Sequence, residues 1–158
     1  MSKRIDLDAL TPVVGTLYPP PFDAPCRARE RTKLGDAAGL TQFGVNLLRL
    51  PPGAWSSQRH WHTGSDEFVY VLSGEVVLVT EGGEEVLHAG DAAGFPAQDS
   101  NGHCLQNRSG RDATVLEVGT RDPANNIAYY PDSDMIAKGG GYAHRDGTPY
   151  AKAARRGP

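Results

Sequence analysis

The sequence predicts an all-β fold, a β-sandwich or more simply one barrel, and three observations predict it. Short runs of strand-forming residues recur about every eight to twelve residues from Thr41 onward. No long amphipathic helix interrupts them, and no internal repeat splits the chain into two units. Nineteen glycines and twelve prolines, with no low-complexity tract, supply the turns that many short strands need. A chain of 158 residues fits one domain with length left at both ends. We divide it into an N-terminal arm over residues 1–39, a barrel core over 40–120 and a C-terminal segment over 121–158.

In the arm, Tyr18-Pro-Pro-Pro-Phe22 cannot continue a helix and reads as extended chain. Arg27, Arg29, Arg31 and Lys33 alternate, so in a strand they share one face. A solvated face is preferred over an anion-binding strip. Gln42 to Leu50 alternates as a strand and stops at Pro51-Pro52-Gly53. Phe68 to Leu72, Glu75 to Thr80 and Glu84 to His88 follow as strands, broken at Ser73-Gly74, Gly82-Gly83 and Ala89-Gly90-Asp91. Gly90 to Pro96 reads as a turn leading into a strand, and His103 to Asn107 and Ala113 to Val118 complete the series. Beyond Arg121 the signals are turns and loops at Asn125-Asn126, Gly139 to Gly141 and Arg145 to Pro149. Ala151 to Pro158 are expected to be poorly ordered.

A formal net charge of -3 and a pI near 5.9 argue against binding along a phosphate backbone, and no helix-turn-helix signal accompanies the strands. No nucleic acid partner is expected. Met1 to Leu10 is charged throughout and lacks the apolar stretch of a signal peptide; no later run is long enough to cross a bilayer. The expectation is a cytoplasmic protein without membrane contact, its two cysteines, Cys26 and Cys104, being free thiols.

The chemistry concentrates between Gly53 and Gly74. Residues two apart in a strand point the same way, roughly 6.5–7 Å apart, so His60 and His62 can aim their rings at one point. Glu67 starts the next strand after a turn through Thr63 to Asp66, which folds its carboxylate back toward that point. Imidazole nitrogens with a carboxylate oxygen suit first-row divalent metals. His103, from a distant strand, would complete the set.

These residues resemble the two motifs of the cupins. The first runs from Gly53 through His60-x-His62 and Glu67 to Gly74, with one extra residue before His60. The second runs through Gly90, Pro96, His103 and Asn107, but Gln98 stands where glycine is usual and His103 falls two residues late. A longer loop over Ala97 to Gly102 should absorb the difference. The resemblance, over roughly residues 41 to 120, implies a jelly-roll-like barrel around one divalent metal held by His60, His62, Glu67 and His103. It also implies a mouth open to substrate and frequent homodimers that exchange N-terminal strands, a role open to residues 1–39.

Other side chains follow from alternation. With Glu67 turned inward, Val69 and Val71 form the cavity set and Trp61 points outward, to a second sheet or a dimer partner. Cys104 turns away from the metal, Asn107 bonds backbone, and His88 and His144 face solvent.

Three neutral imidazoles and one carboxylate leave a divalent ion one residual positive charge, and up to two open positions if it is six-coordinate. Such a centre favours a small bidentate anion and stabilises charge developing on its oxygen. Zinc, iron, manganese and nickel are equally compatible with these ligands. Three functions fit: isomerisation of a sugar or sugar phosphate, dioxygenation of a small oxygenated anion, or ligand binding by a non-catalytic sensor. An enzyme is favoured over the sensor. Isomerisation needs a second acid–base group. Asp99 is the named candidate, although a turn-forming aspartate is the preferred reading of it, and Gln58 is a candidate for orienting ligand.

Overall fold

Alternating side chains put one face of each strand inside, and a computed structural model, describing residues 3–158, shows which strands close around that interior. Met1 and Ser2, part of the arm, lie outside the described residues. In chain order the strands are β1 (Val13–Val14), β2 (Glu30–Lys33), β3 (Phe43–Leu50), β4 (Trp61–His62), β5 (Glu67–Ser73), β6 (Glu75–Thr80) and β7 (Gly83–His88). β8 (Ala92–Phe95), β9 (Cys104–Gln106), β10 (Ala113–Thr120), β11 (Ile127–Tyr129), β12 (Met135–Lys138) and β13 (Gly141–His144) follow. They form antiparallel sheets in the orders β1-β2-β3-β10-β5-β8, β13-β12-β11-β4 and β7-β6-β9. The fold is all-β, as the strand spacing predicts, and a barrel of the jelly-roll type that the resemblance implies. Among the described residues no helix is long and apolar enough to cross a membrane.

The inward sets pack as one core: Leu48 and Leu50 of β3, Val69 and Val71 of β5, Val76 and Leu78 of β6, Leu105 of β9, Ala113 and Val115 of β10. Each buried aliphatic side chain of this size contributes about 1.5–3 kcal/mol. Gly74 turns β5 into β6 with φ +75°, and a Cβ there would lie 2.6 Å from Asp112 O, so only glycine fits the corner. Asn107 is fully buried and ties the far side of the core, its Nδ2 donating to Leu50 O and Arg111 O, both at 2.7 Å. That is the backbone role read from the sequence.

Both ends of the chain carry more structure than their turn signals suggest. β12 and β13 form a hairpin whose turn residues Gly139 and Gly140 both have positive φ, the geometry of a two-residue hairpin turn. This segment and the arm bury a second cluster between them, with Tyr18 and Cys26 against Ala128, Tyr130 and Met135. The chain end, expected to be loose, is pinned: Thr16 and Arg156 exchange backbone hydrogen bonds of 3.0 and 2.9 Å.

The solvated basic face does not hold. β2 pairs with β3 so that Arg31 lies opposite Leu48, whose side chain is inside, and Arg31 therefore points inward. Arg29, two residues earlier, follows it and is 7% exposed. Glu30 takes the outer face and pairs with Arg49, and only Lys33 of the alternating set is exposed.

Candidate metal centre

Three backbone features deliver the predicted residues to one place. His60 and His103 face each other across an isolated bridge, His60 N donating to His103 O at 3.1 Å and His103 N to His60 O at 2.9 Å. His62 sits in β4, opposite Ala128 of β11. Glu67 is the first residue of β5, flanked by Gly119 of β10 and Phe95 of β8.

The three imidazoles converge on the Glu67 carboxylate. Glu67 Oε2 lies 2.8 Å from His103 Nε2 and 3.5 Å from His60 Nε2, and Oε1 lies 3.4 Å from His62 Nε2. Ligand atoms of His60, His62 and Glu67 all lie within 4.8 Å of one another. Burial pushes the Glu67 carboxyl up, but the imidazoles of His103, His60 and His62 outweigh it and hold the group well below the usual carboxylate range. Burial likewise opposes charge on His60, where Glu67 prevails and raises the pKa; on His103 burial prevails and lowers it.

Two observations fit a cation at this point. His60 Nδ1 lies 2.9 Å from Gln58 O; a carbonyl can only accept, so Nδ1 carries a proton, and in the neutral ring Nε2 presents its lone pair toward Glu67. Glu67 Oε2 is buried without a hydrogen-bond partner, although His103 Nε2 lies 2.8 Å away. A lone-pair nitrogen facing an orphaned carboxylate oxygen is an unfavourable arrangement that a metal ion resolves.

The surroundings fix the rings. Asn126 bridges His62 and Gly64, its Nδ2 lying 3.0 Å from His62 Nδ1 and its Oδ1 accepting from Gly64 N at 3.1 Å, which fixes the orientation of the ring. Phe95 stacks on His103 at 3.5 Å with 2° between planes. The four residues line a cavity of about 420 Å³, together with Val69, Arg29, Arg31, Tyr18 and Glu117. Arg31 grips Glu117 with both arms of its fork, Nε–H to Oε2 at 2.7 Å and Nη2–H to Oε1 at 3.0 Å.

Glu117 is the inward carboxylate that the motif reading overlooks. A signal for it exists: Ala113, Val115 and Glu117 share a face of β10, and the first two are fully buried. Asp99 does not line this cavity; it is exposed and accepts from Asn101 N at 3.0 Å, the turn role preferred for it. Gln58 is turned away as well, its Nε2 donating to Phe22 O at 2.7 Å. Cys104 is buried beside Gln106, outside the cavity lining, and burial pushes its thiol up to about 11. Trp61 stacks on Tyr129 at 4.9 Å in the second sheet. His88 faces solvent, but His144 is half-buried, stacked on Tyr150 at 4.0 Å and 3.1 Å from Asp134, because the hairpin folds back on Tyr150. In the loop before His103, Gln98 occupies the left-handed region at φ +68°, the conformation for which the cupin pattern uses glycine.

The fold and this cluster define a β-barrel with a metal-type ligand set. The Cupin domain family matches residues 46–119. A crystal structure of a sugar phosphate isomerase of the cupin superfamily from Silicibacter pomeroyi DSS-3 is 46% identical, with a TM-score of 0.87 over 96% of this chain and 99% of that one. A candidate sugar phosphate isomerase from Acidithiobacillus ferrooxidans is 28% identical, with a TM-score of 0.69 over 80% and 82% of the two chains. A polyketide cyclase from Streptomyces resistomycificus, at 20% identity and TM-score 0.62 over 77% and 81%, shares the fold. The chain matches no curated protein. It belongs to the cupin superfamily.

Proposed function

We propose that this cupin is a metal-dependent isomerase of a small phosphorylated sugar. His60, His62, Glu67 and His103 would hold one divalent ion, and Glu117 would move the proton. The observation that carries the reading is the convergence of the four ligand side chains in a cavity that also holds a second carboxylate. Its volume, about 420 Å³, suits a small metabolite, since such sites span roughly 300–1,000 Å³. The similarity to the Silicibacter pomeroyi enzyme, nearly end to end, supports the substrate class.

When bound, the ion would supply a Lewis acid for the substrate oxygens, where negative charge grows during enolisation. The chain's own residues do the rest. Arg31 keeps Glu117 in one orientation, so its free lone pairs can take a proton from one carbon and return it to the next. Val69 and Leu105 give the cavity an apolar side that limits water around the exposed carbanion.

The test combines metal analysis with hydrogen exchange. Protein purified without chelator should carry about one divalent ion per chain, and a single chelator treatment should abolish turnover. With a panel of aldose and ketose phosphates in D2O, turnover should place solvent deuterium on the reacting carbon. Glu117→Gln should lower kcat by about 10²–10⁴-fold, the usual worth of a positioned acid–base group, while metal content stays at one. Metal-loaded protein that neither interconverts nor exchanges any member of the panel sinks the isomerase reading.

A further inference from the structure

Arg29 is a buried cation for which the proposed chemistry has no use. Its partners are all neutral: Nε–H donates to Gly15 O at 3.2 Å, Nη1 to Ser56 O, and Nη2 to Thr16 Oγ1 at 3.2 Å. Tyr18 offers its ring face at 5.5 Å and no charge. A guanidinium has five N–H donors, so these bonds leave donors to spare. Among the described residues Arg29 forms no ion pair, which is rare for an arginine this deeply placed.

Its neighbours make the imbalance larger. A second cavity, of about 170 Å³, lies against the β1–β2 hairpin and is lined by Arg29, Arg31, Lys33 and Arg155 together with Tyr142, with no carboxylate among its described lining residues. Arg31 is neutralised by Glu117, and Lys33 lies 3.7 Å from Asp36. Arg155, like Arg29, has no acidic partner among the described residues. Its Nη1 donates at 3.2 Å to Gly15 O, the same carbonyl that receives Arg29 Nε–H. Two unneutralised guanidinium groups thus converge on one oxygen, with an open space beside them. Like charges held together in this way call for an anion.

We propose that this pocket is an oxyanion site for a phosphoryl group, gripped by Arg29 and Arg155 with Lys33 at its rim. The volume, about 170 Å³, admits a phosphoryl group. Guanidinium forks match phosphate oxygens in pairs. Arg29, Arg31 and Tyr142 line the larger cavity too, so the two spaces share a wall beside the metal-type cluster. The phosphoryl group can belong to the substrate's far end, an assignment that rests on the isomerase reading, or to free phosphate bound independently.

Calorimetric titration of the full chain with inorganic phosphate tests the site, with metal-loaded and chelator-treated protein run side by side. Phosphate should bind both forms. Arg155→Ala, an exposed substitution, should weaken binding about tenfold, the loss of one charge-assisted contact. Arg29→Gln should abolish it; if that variant does not fold, Arg155→Ala and Lys33→Ala carry the test. Absence of binding to the chelator-treated protein, or an unchanged affinity in Arg155→Ala, overturns the proposal, since phosphate would then sit on the metal or elsewhere. Kinetics separate the two sources. Substrate phosphate in this pocket makes inorganic phosphate a competitive inhibitor and lets Arg155→Ala raise KM; free phosphate leaves KM for substrate unchanged in that variant. Failure of the isomerase reading would remove turnover but leave phosphate binding intact, so the two proposals fail separately.

Discussion

The same three strands build a dry end and a polar end of the barrel. On β3 the inward residues run from Asn46 to Leu48 and Leu50; on β5 from Glu67 to Val69 and Val71; on β10 from Glu117 to Val115 and Ala113. Register stacks them in layers: Glu117 opposite Asn46 and Val69, Val115 opposite Leu48 and Val71, Ala113 opposite Leu50. Leu48, Leu50, Val71, Ala113 and Val115 are fully buried, whereas the outer layer borders the cavity. Stability and chemistry are therefore divided along each strand rather than between strands. The apolar layer holds the backbone still, and the polar layer can keep close, costly charges because that backbone does not yield.

Leu50→Ala should break the dry end with the largest effect. Removal of this fully buried side chain is expected to cost about 2–5 kcal/mol in urea unfolding, while the protein that remains folded keeps its metal stoichiometry. A folded variant depleted of metal would mean that the two ends are coupled. Asn126→Ala should loosen the polar end from behind, through His62. Metal affinity measured by chelator competition is expected to fall about 10–100-fold, with little change in the unfolding midpoint of metal-free protein. Gln98→Gly is the smallest change and runs the other way. Relief of the left-handed backbone at φ +68° should stabilise the chain by about 1 kcal/mol without altering turnover. A destabilised glycine variant would show that the Gln98 side chain, not its backbone, matters in the loop.

The polar end was half legible in the sequence, for a physical reason. His60, His62 and Glu67 are close along the chain, so strand alternation and one turn bring them together. His103 needed only the second motif, and the loop before it absorbs the two extra residues. Which way Arg29 and Arg31 point is a different kind of fact, because alternation defines a shared face and not which face is inside. That choice is made by β3, through the pairing of Arg31 with Leu48. Glu117 lies within reach of the same alternation, but its strand, β10, belongs to neither motif. The strands beyond Arg121 have three or four residues each. Runs that short carry no clear period, and they owe their order to burial against Tyr18 and Cys26, far away in sequence.

The bond from Arg155 to Gly15 spans 140 residues. A contact that distant closes a long loop, which carries a high entropic cost and slows its formation. During synthesis every residue from Thr16 to Arg156 must emerge before the two meet and the basic pocket gains its last wall. A protein clipped short of Arg155 would still own every residue of the metal cluster, yet present it beside an unfinished pocket.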